Sequence, residues 1–342
     1  AAESGGSGFD LAKEKTAFYE EERSGPEVPK LSEPAPKEAS IAIATCPIPA
    51  CQATTDGAKQ AAEEIGWKPN YKTYELTPES FQKTMADIAA EKPEIFIFID
   101  AFPSETIEAS LKQMHEAGTA IVELSPQAGE KPSELVPAVL QGAPFFELGG
   151  EVAAYKILAD AGAATNAAVV WDPSYGVFKE ALAGFEKTFT GNCPECKMST
   201  LEVSLASPAP QQQSQISNFL SQNPDLEYLF FPLSDQAAAL PEALEAAGLS
   251  EQVQFVTLTA GLPDLEHISE GKQLATIQNE NLSAGYAAVD GALRIMIEGD
   301  PGVEEYPEGY TRIISKANVK PGKLPTTPGT PEDYLKAWGV EG

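Results

Sequence analysis

From Ser40 onward, short runs of β-branched and aromatic residues alternate with amphipathic segments of helical length. Ile41–Thr45 reads as a strand, Thr54–Ile65 as a helix ending at Gly66, and Tyr71–Leu76 as a second strand. Thr77-Pro78-Glu79 opens a helix that runs to about Ala90, supplying a Thr cap, a proline at the first helical position and an acid in the first turn. Ile95–Ile99 is a wholly apolar third strand, Ser104–Ala117 a helix closed by Gly118, and Ala120–Leu124 a fourth strand. The second half repeats the scheme. Helices are expected over Leu148–Ala161, Gly176–Phe189, Gln212–Ser221, Asp235–Ala247, Asp264–Glu270 and Ser283–Glu298. Strands are expected over Ala167–Trp171, Leu201–Ser204, Leu229–Phe231, Phe255–Leu258 and Ala275–Gln278. Strands separated by helices of this length lie parallel, with right-handed crossovers and helices on both faces. The expectation is therefore two successive α/β units, with a ligand held beyond the carboxyl ends of their strands in a cleft between them.

Composition narrows the partners. The 342 residues carry a net charge of −28, a field that repels a phosphate backbone, so nucleic-acid binding is not expected. With 42 % hydrophobic and 22 % charged residues the chain is too apolar for a disordered acidic protein. Its longest purely apolar stretches are strand-sized, against about 20 residues for a membrane-spanning helix.

Residues 1–39 stand apart. AAESGGSG has neither the basic start nor the apolar core of a signal peptide and reads as a flexible tether. A charged helical piece, Phe9–Glu22, and a linker containing Pro26, Pro29, Pro34 and Pro36 follow it as a spacer.

The four cysteines fall in two close pairs, Cys46 with Cys51 and Cys193 with Cys196, which suits disulfides and an oxidising compartment. A four-thiolate zinc site, a redox CxxC and buried free thiols are the competing readings.

Catalytic signals are sparse. No GxGxxG, GxxxxGK[ST] or GxSxG occurs, and the turn after the first strand, CPIPACQ, carries prolines where a phosphate loop needs backbone amides. The two histidines, His115 and His267, lie on predicted helices and read as surface residues. A carboxylate pair among 51 acids is not singled out by spacing, so an enzyme is not expected, and neither a cofactor nor a metal is implied.

Several segments nevertheless carry a family resemblance: IAIATCPIPACQATTDGAKQAAEEIG, PESFQKTMADIAAEKPEIFIFID and HEAGTAIVEL in the first half; ALAGFEKTF, NPDLEYLFFPLSDQAAALPEALEAAG and EGKQLATIQNENLSAGYAAVDGALRIM in the second. Their order from Ser40 to Ser315 resembles a type 1 periplasmic solute-binding protein of ABC transporters, in the sugar-binding and LacI-like group. The resemblance implies two Rossmann-like lobes with parallel sheets, joined by a three-strand hinge, that trap a solute by closing. The lobes fall at about 40–143 plus 282–308 and 144–279 plus 311–342, with crossovers near Gln141–Phe146, Asn279–Leu282 and Gly309–Arg312. It also implies an extracytoplasmic, monomeric receptor for a small solute, serving ABC permease subunits. A lipid anchor on a cysteine just before Ala1 would tether it to the membrane, as in Gram-positive lipoproteins.

Laid onto the family pattern, the polar groups that pin sugar hydroxyls are largely replaced. Ser125-Pro126 stands where an Asp-Arg pair is usual, Leu233-Ser234 where Asn-Asp is usual, Thr259 for an Asp, Lys179 for an Arg and Asn279 for the hinge Gln. The three arginines, Arg23, Arg294 and Arg312, lie off the predicted cleft loops. What remains there is Ile48 and Gln52 in the first loop, Asp100 and Phe102, Phe145 and Phe146 at the first crossover, Trp171, Asp172 and Tyr175, and Asp235. Aromatic faces stack on planar or apolar ligands or on cations, so the ligand is expected to be sugar-like, aromatic or apolar, or cationic. Phe145, Phe146 and Trp171 fit equally well as packing of hinge and lobe cores. The alternatives to a transport receptor are a sensor for a membrane signalling partner and an α/β hydrolase.

Overall fold

Ile95–Ile99 has no polar position, and in the computed structural model all five residues are buried, as befits a strand covered on both faces. The structure describes residues 5–25, 27–126, 131–302 and 310–340. In chain order, α1 (Gly5–Glu20) precedes β1 (Ile41–Thr45), α2 (Pro49–Glu64), β2 (Asn70–Thr73), α3 (Pro78–Glu91), β3 (Ile95–Ile99), α4 (Glu108–Glu116), β4 (Ala120–Leu124) and β5 (Ala138–Leu140). There follow α5 (Ala143–Ala161), β6 (Asn166–Trp171), α6 (Gly176–Asn192), β7 (Lys197–Glu202), α7 (Ala209–Gln222), β8 (Tyr228–Phe231), α8 (Leu240–Ala247) and β9 (Gln254–Leu258). The chain ends with α9 (Leu262–Glu270), β10 (Ala275–Asn279), α10 (Asn281–Glu298), β11 (Thr311–Ser315) and α11 (Glu332–Ala337).

Two sheets result. One has the order β2-β1-β3-β4-β5 and is parallel throughout; the other has the order β11-β10-β9-β8-β6-β7, parallel except for β11. Each reverses its winding once, between β1 and β3 and between β6 and β8, which are the points where such sheets take ligands. The two-lobe α/β architecture of a type 1 solute-binding protein is thereby borne out.

The first unit comprises Arg23–Phe145, Glu280–Tyr310 and Thr326–Gly342. Its core joins Ile43, Ile97 and Val122 of the sheet to Ala58 and Ala61 of α2 and Val289 and Leu293 of α10. The two helices pack with glycines at the contact: a Cβ on Gly285 would lie 2.2 Å from the Ala58 nitrogen. The second unit comprises Ala1–Glu22, Phe146–Asn279 and Thr311–Pro325. There Phe185 stacks on Phe230 on one face of the sheet, while Leu229, Phe231 and Phe255 pack with Ile216 and Leu240 on another part of the core.

Both ends of the chain depart from expectation. The N-terminal segment reads as a spacer, but α1 buries Phe9, Ala12, Thr16 and Tyr19, a stripe at helical spacing, and packs against β11 and α6 of the second unit. Glu20 anchors it, its carboxylate accepting from Ser315 Oγ (2.6 Å) and Lys156 Nζ (3.2 Å) and its carbonyl from Asn318 Nδ2 (2.9 Å). The proline-rich linker is likewise held by the first unit: Leu31 N donates to Ala337 O at 3.0 Å and Trp67 Nε1 to Pro36 O at 2.9 Å. The C-terminal segment, expected whole in the second lobe, divides after Pro325, because Trp338 and Tyr334 are buried against Tyr286 of α10. The chain passes between units after Phe145, Asn279 and Tyr310, within the three expected crossover segments, and also after Glu22 and Pro325. The expected crossover residue Gly309, and residues 303–308 at the end of the expected first lobe, lie outside the described residues.

Candidate functional site

At the carboxyl end of β1, Cys46 and Cys51 are bonded across 5.7 Å between Cα atoms. CPIPACQ is expected as an open ligand loop, but Pro49 already starts α2, with extended Ile48 as its cap residue. A proline at the first helical position lacks only an N–H that would have no helical partner there. Ile48 and Gln52 are half-buried, joined by a helical bond from Gln52 N to Ile48 O (3.1 Å). The second pair, Cys193–Cys196, is bonded too, so neither pair is a free thiol, and no group of three metal-ligating side chains occurs among the described residues.

After β3, Asp100 is buried and Phe102 half-buried, its ring 5.6 Å from Phe81. After β4 comes Ser125, whose hydroxyl donates to Gln141 Oε1 at 3.1 Å. Gln141, which follows β5, is missing from the sequence-based set; β5 itself, three residues long, gives no periodic signal. Phe145 and Phe146 are expected in an extended crossover but lie in the first turn of α5, which begins at Ala143, and both are buried.

In the second unit, Trp171 ends β6, half-buried, with its indole N–H enclosed and without a hydrogen-bond partner among the described residues. Asp172 is buried, and both its oxygens are committed: Oδ1 accepts from Ser174 N (2.9 Å) and Oδ2 from Leu205 N (2.7 Å). Tyr175 caps α6, and its ring stands 5.4 Å from Phe178, which in turn lies 6.2 Å from Phe146. Burial, with a smaller contribution from the Asp172 charge, pushes the Tyr175 phenol up to about 12, so it is a neutral hydrogen-bonding group at physiological pH. Lys179 is exposed on α6.

Ser234 and Thr259 bond to each other, Ser234 Oγ donating to the Thr259 carbonyl at 2.9 Å, so this pair ties the ends of β8 and β9 together. Asp235 is half-buried beside them in the short turn after β8. Gln236, also absent from the sequence-based set, is buried there; its Nε2 donates to Val203 O at 3.1 Å, while its Oε1 has no partner among the described residues. Asn279 ends β10, and its side chain lies outside the described residues. His115 is exposed on α4 and His267 half-buried on α9, away from every strand's carboxyl end. Among the described residues, three of the four non-glycine residues with positive φ, Ser125, Gln141 and Thr259, lie at carboxyl ends of strands. Such backbone is costly and collects where function holds it in place.

The carboxyl edges thus offer aromatic faces, neutral hydrogen-bonding groups and the carboxyl groups of Asp100 and Asp235, while the most deeply buried acid of the second unit's edge, Asp172, is used internally. Comparison with known proteins agrees with this architecture. A model of the periplasmic binding protein domain matches residues 41–300. No curated relative matches the chain. Among solved structures, the 5-methylthioribose transporter solute-binding protein of Thermotoga lettingae superposes with a TM-score of 0.74 at 14 % identity, covering 91 % of this chain and all (100 %) of that one. A periplasmic solute-binding protein of Actinobacillus succinogenes with bound D-allose gives 0.70 at 18 % identity, covering 81 % and 97 %. The glucose-galactose binding protein GanP of Geobacillus stearothermophilus gives 0.68 at 17 %, covering 82 % and 99 %. No described helix is long and apolar enough to cross a membrane.

Proposed function

Since the domain match spans residues 41–300, the chain belongs to the periplasmic binding protein family of solute receptors, and we propose that it captures a small, uncharged, sugar-like solute with an apolar face for an ABC permease. The observation that carries this reading is at the end of β6. Trp171 and Tyr175 present half-buried aromatic surface there, while both oxygens of the intervening Asp172 are held by backbone amides. A cation beside these rings would need a carboxylate free to face it, and each oxygen of Asp172 already accepts a backbone amide. An aromatic face stacks instead on the C–H surface of a sugar or on an apolar substituent, and neutral groups such as the Trp171 indole take its oxygens. The solute class of the structural neighbours, sugars and a methylthio sugar, is compatible with that chemistry.

A thermal-shift screen tests it, using D-allose, D-arabinose, 5-methylthioribose, amino acids and polyamines. A solute present at about 100 times its dissociation constant stabilises the fold by roughly 2.7 kcal/mol. The reading expects a shift with a neutral sugar or thiosugar that is lost in Trp171→Ala. A shift confined to polyamines or amino acids overturns it. Delivery to permease subunits, a monomeric state and a lipid tether N-terminal to Ala1 belong to the same proposal. Sedimentation of the protein and palmitate labelling of its full precursor test the last two.

A further inference from the structure

Ser125 and Gln141 close the carboxyl ends of the neighbouring parallel strands β4 and β5, and both take left-handed backbone, with φ of 48° and 53°. Ser125 N donates to Leu140 O at 2.8 Å, and the Ser125 hydroxyl donates to Gln141 Oε1 at 3.1 Å. Gln141 is only 3 % exposed, yet its Nε2 is buried without a hydrogen-bond partner among the described residues. One end of this carboxamide is held and the other is enclosed with its hydrogen bonds unmade. Exchanging the amide oxygen and nitrogen changes nothing, because the serine hydroxyl donates or accepts and one end still stays unmade.

A buried amide group left unmade is destabilising, and a methionine of similar size would fill the position without that penalty. Glutamine here also sits in a backbone region that side chains avoid. Two unfavourable local features therefore meet at one residue, at the carboxyl end of an outermost strand of the parallel sheet and four residues before the chain leaves the unit after Phe145.

We propose that Gln141 contacts the solute, its carboxamide hydrogen-bonding an uncharged oxygen, a hydroxyl or carbonyl, with Ser125 as the positioning residue that holds the amide's other end. This rests on the solute-receptor reading above and extends it to a residue of the first unit. An uncharged partner follows from the chemistry: the amide is neutral, and neither Ser125 nor Pro126 beside it supplies a cation to balance a carboxylate.

Isothermal titration of the whole protein with D-allose, D-arabinose and 5-methylthioribose, followed by monodeoxy analogues of the sugar that binds, provides the test. Gln141→Met is expected to weaken that sugar about tenfold. One deoxy analogue should bind weakly to the unmodified protein but lose nothing further in Gln141→Met, identifying the oxygen contacted. Gln141→Asn, which keeps the amide but withdraws it by one methylene, gives the same readout if the methionine variant fails to fold. Unchanged affinity for the sugar and all its deoxy analogues in a folded variant overturns the assignment of Gln141 alone. Failure of all three sugars to bind the unmodified protein overturns the neutral-sugar reading, and this assignment with it.

Discussion

The indole N–H of Trp338 donates to Asp290 Oδ1 at 2.8 Å, fastening the residue that caps α11 to the middle of α10. Trp338 is fully buried, its ring parallel to that of Tyr286 with centroids 5.9 Å apart, and Asp290 also binds Arg294 Nε at 2.8 Å. Trp338→Ala should cost about 3–5 kcal/mol, by loss of a large buried aromatic and exposure of a cavity. Trp338→Phe should cost about 1–3 kcal/mol, by leaving a carboxylate lone pair unmet. Urea unfolding of both variants checks the order; no loss in Trp338→Phe would show that the hydrogen bond contributes nothing, and equal losses that the ring adds nothing beyond it.

Asp264 predicts an acid-side stability maximum. Burial pushes its carboxyl up, against opposing hydrogen bonds from Thr257, Gln273 and Gly261 N. Glu280 and Asp290 are raised by burial as well. A carboxyl raised on folding binds its proton more tightly in the native state, so stability is greatest below the unfolded value of 3.8 for Asp264 and falls as pH rises through the folded one. Melting temperatures should therefore decline from about pH 4 upward, and the decline should be shallower in Asp264→Asn, which removes this titration while leaving the surface charges. An identical slope in the variant would refute the contribution.

If α1 is integral to the second unit, Ala12→Asp should behave as a core mutation. Ala12 has no exposed surface, and an unpaired carboxylate there has no compensation. Hydrogen exchange is expected to accelerate at β11, the sheet edge that α1 packs against, together with a lower melting temperature. A free tether would leave both unchanged.

Cys46–Cys51 closes a loop of sequence separation 5, and chain-entropy reasoning gives such a short loop about 2 kcal/mol of stabilisation. Cys46→Ser with Cys51→Ser should lose about that much in urea unfolding. It should also weaken solute binding, because the turn after β1 must then be ordered on binding. A variant that loses stability but keeps its affinity would confine the bond to structure.

Much of the fold was legible along the chain. β1, β3 and β4 begin and end at the residues the apolar runs predict, since a parallel strand buried on both faces reads as a near-continuous apolar run, broken here by Thr45 and Glu123. The Thr77 cap is made as its sequence implies, its side chain accepting from Ser80 N at 3.2 Å. The cysteine pairs are close enough in sequence for each to find its local partner. The site was less legible. The aromatic positions Phe102, Trp171 and Tyr175 follow strand ends and could be named, but sequence does not show that Ser234 and Thr259 satisfy one another or that Asp172 has both oxygens occupied.

The sequence by itself determined the alternation of strand and helix, hence parallel sheets and the strand ends at which ligands are taken, because periodicity and caps act within a few residues. Only the tertiary structure decided that α1 and the C-terminal segment dock on separate units, and that Gln141 is buried with half its amide unmade. Those outcomes depend on surfaces and partners distant in the chain. Whether an apolar stripe finds a face to cover, or a polar atom a partner, is settled by what the fold brings beside it.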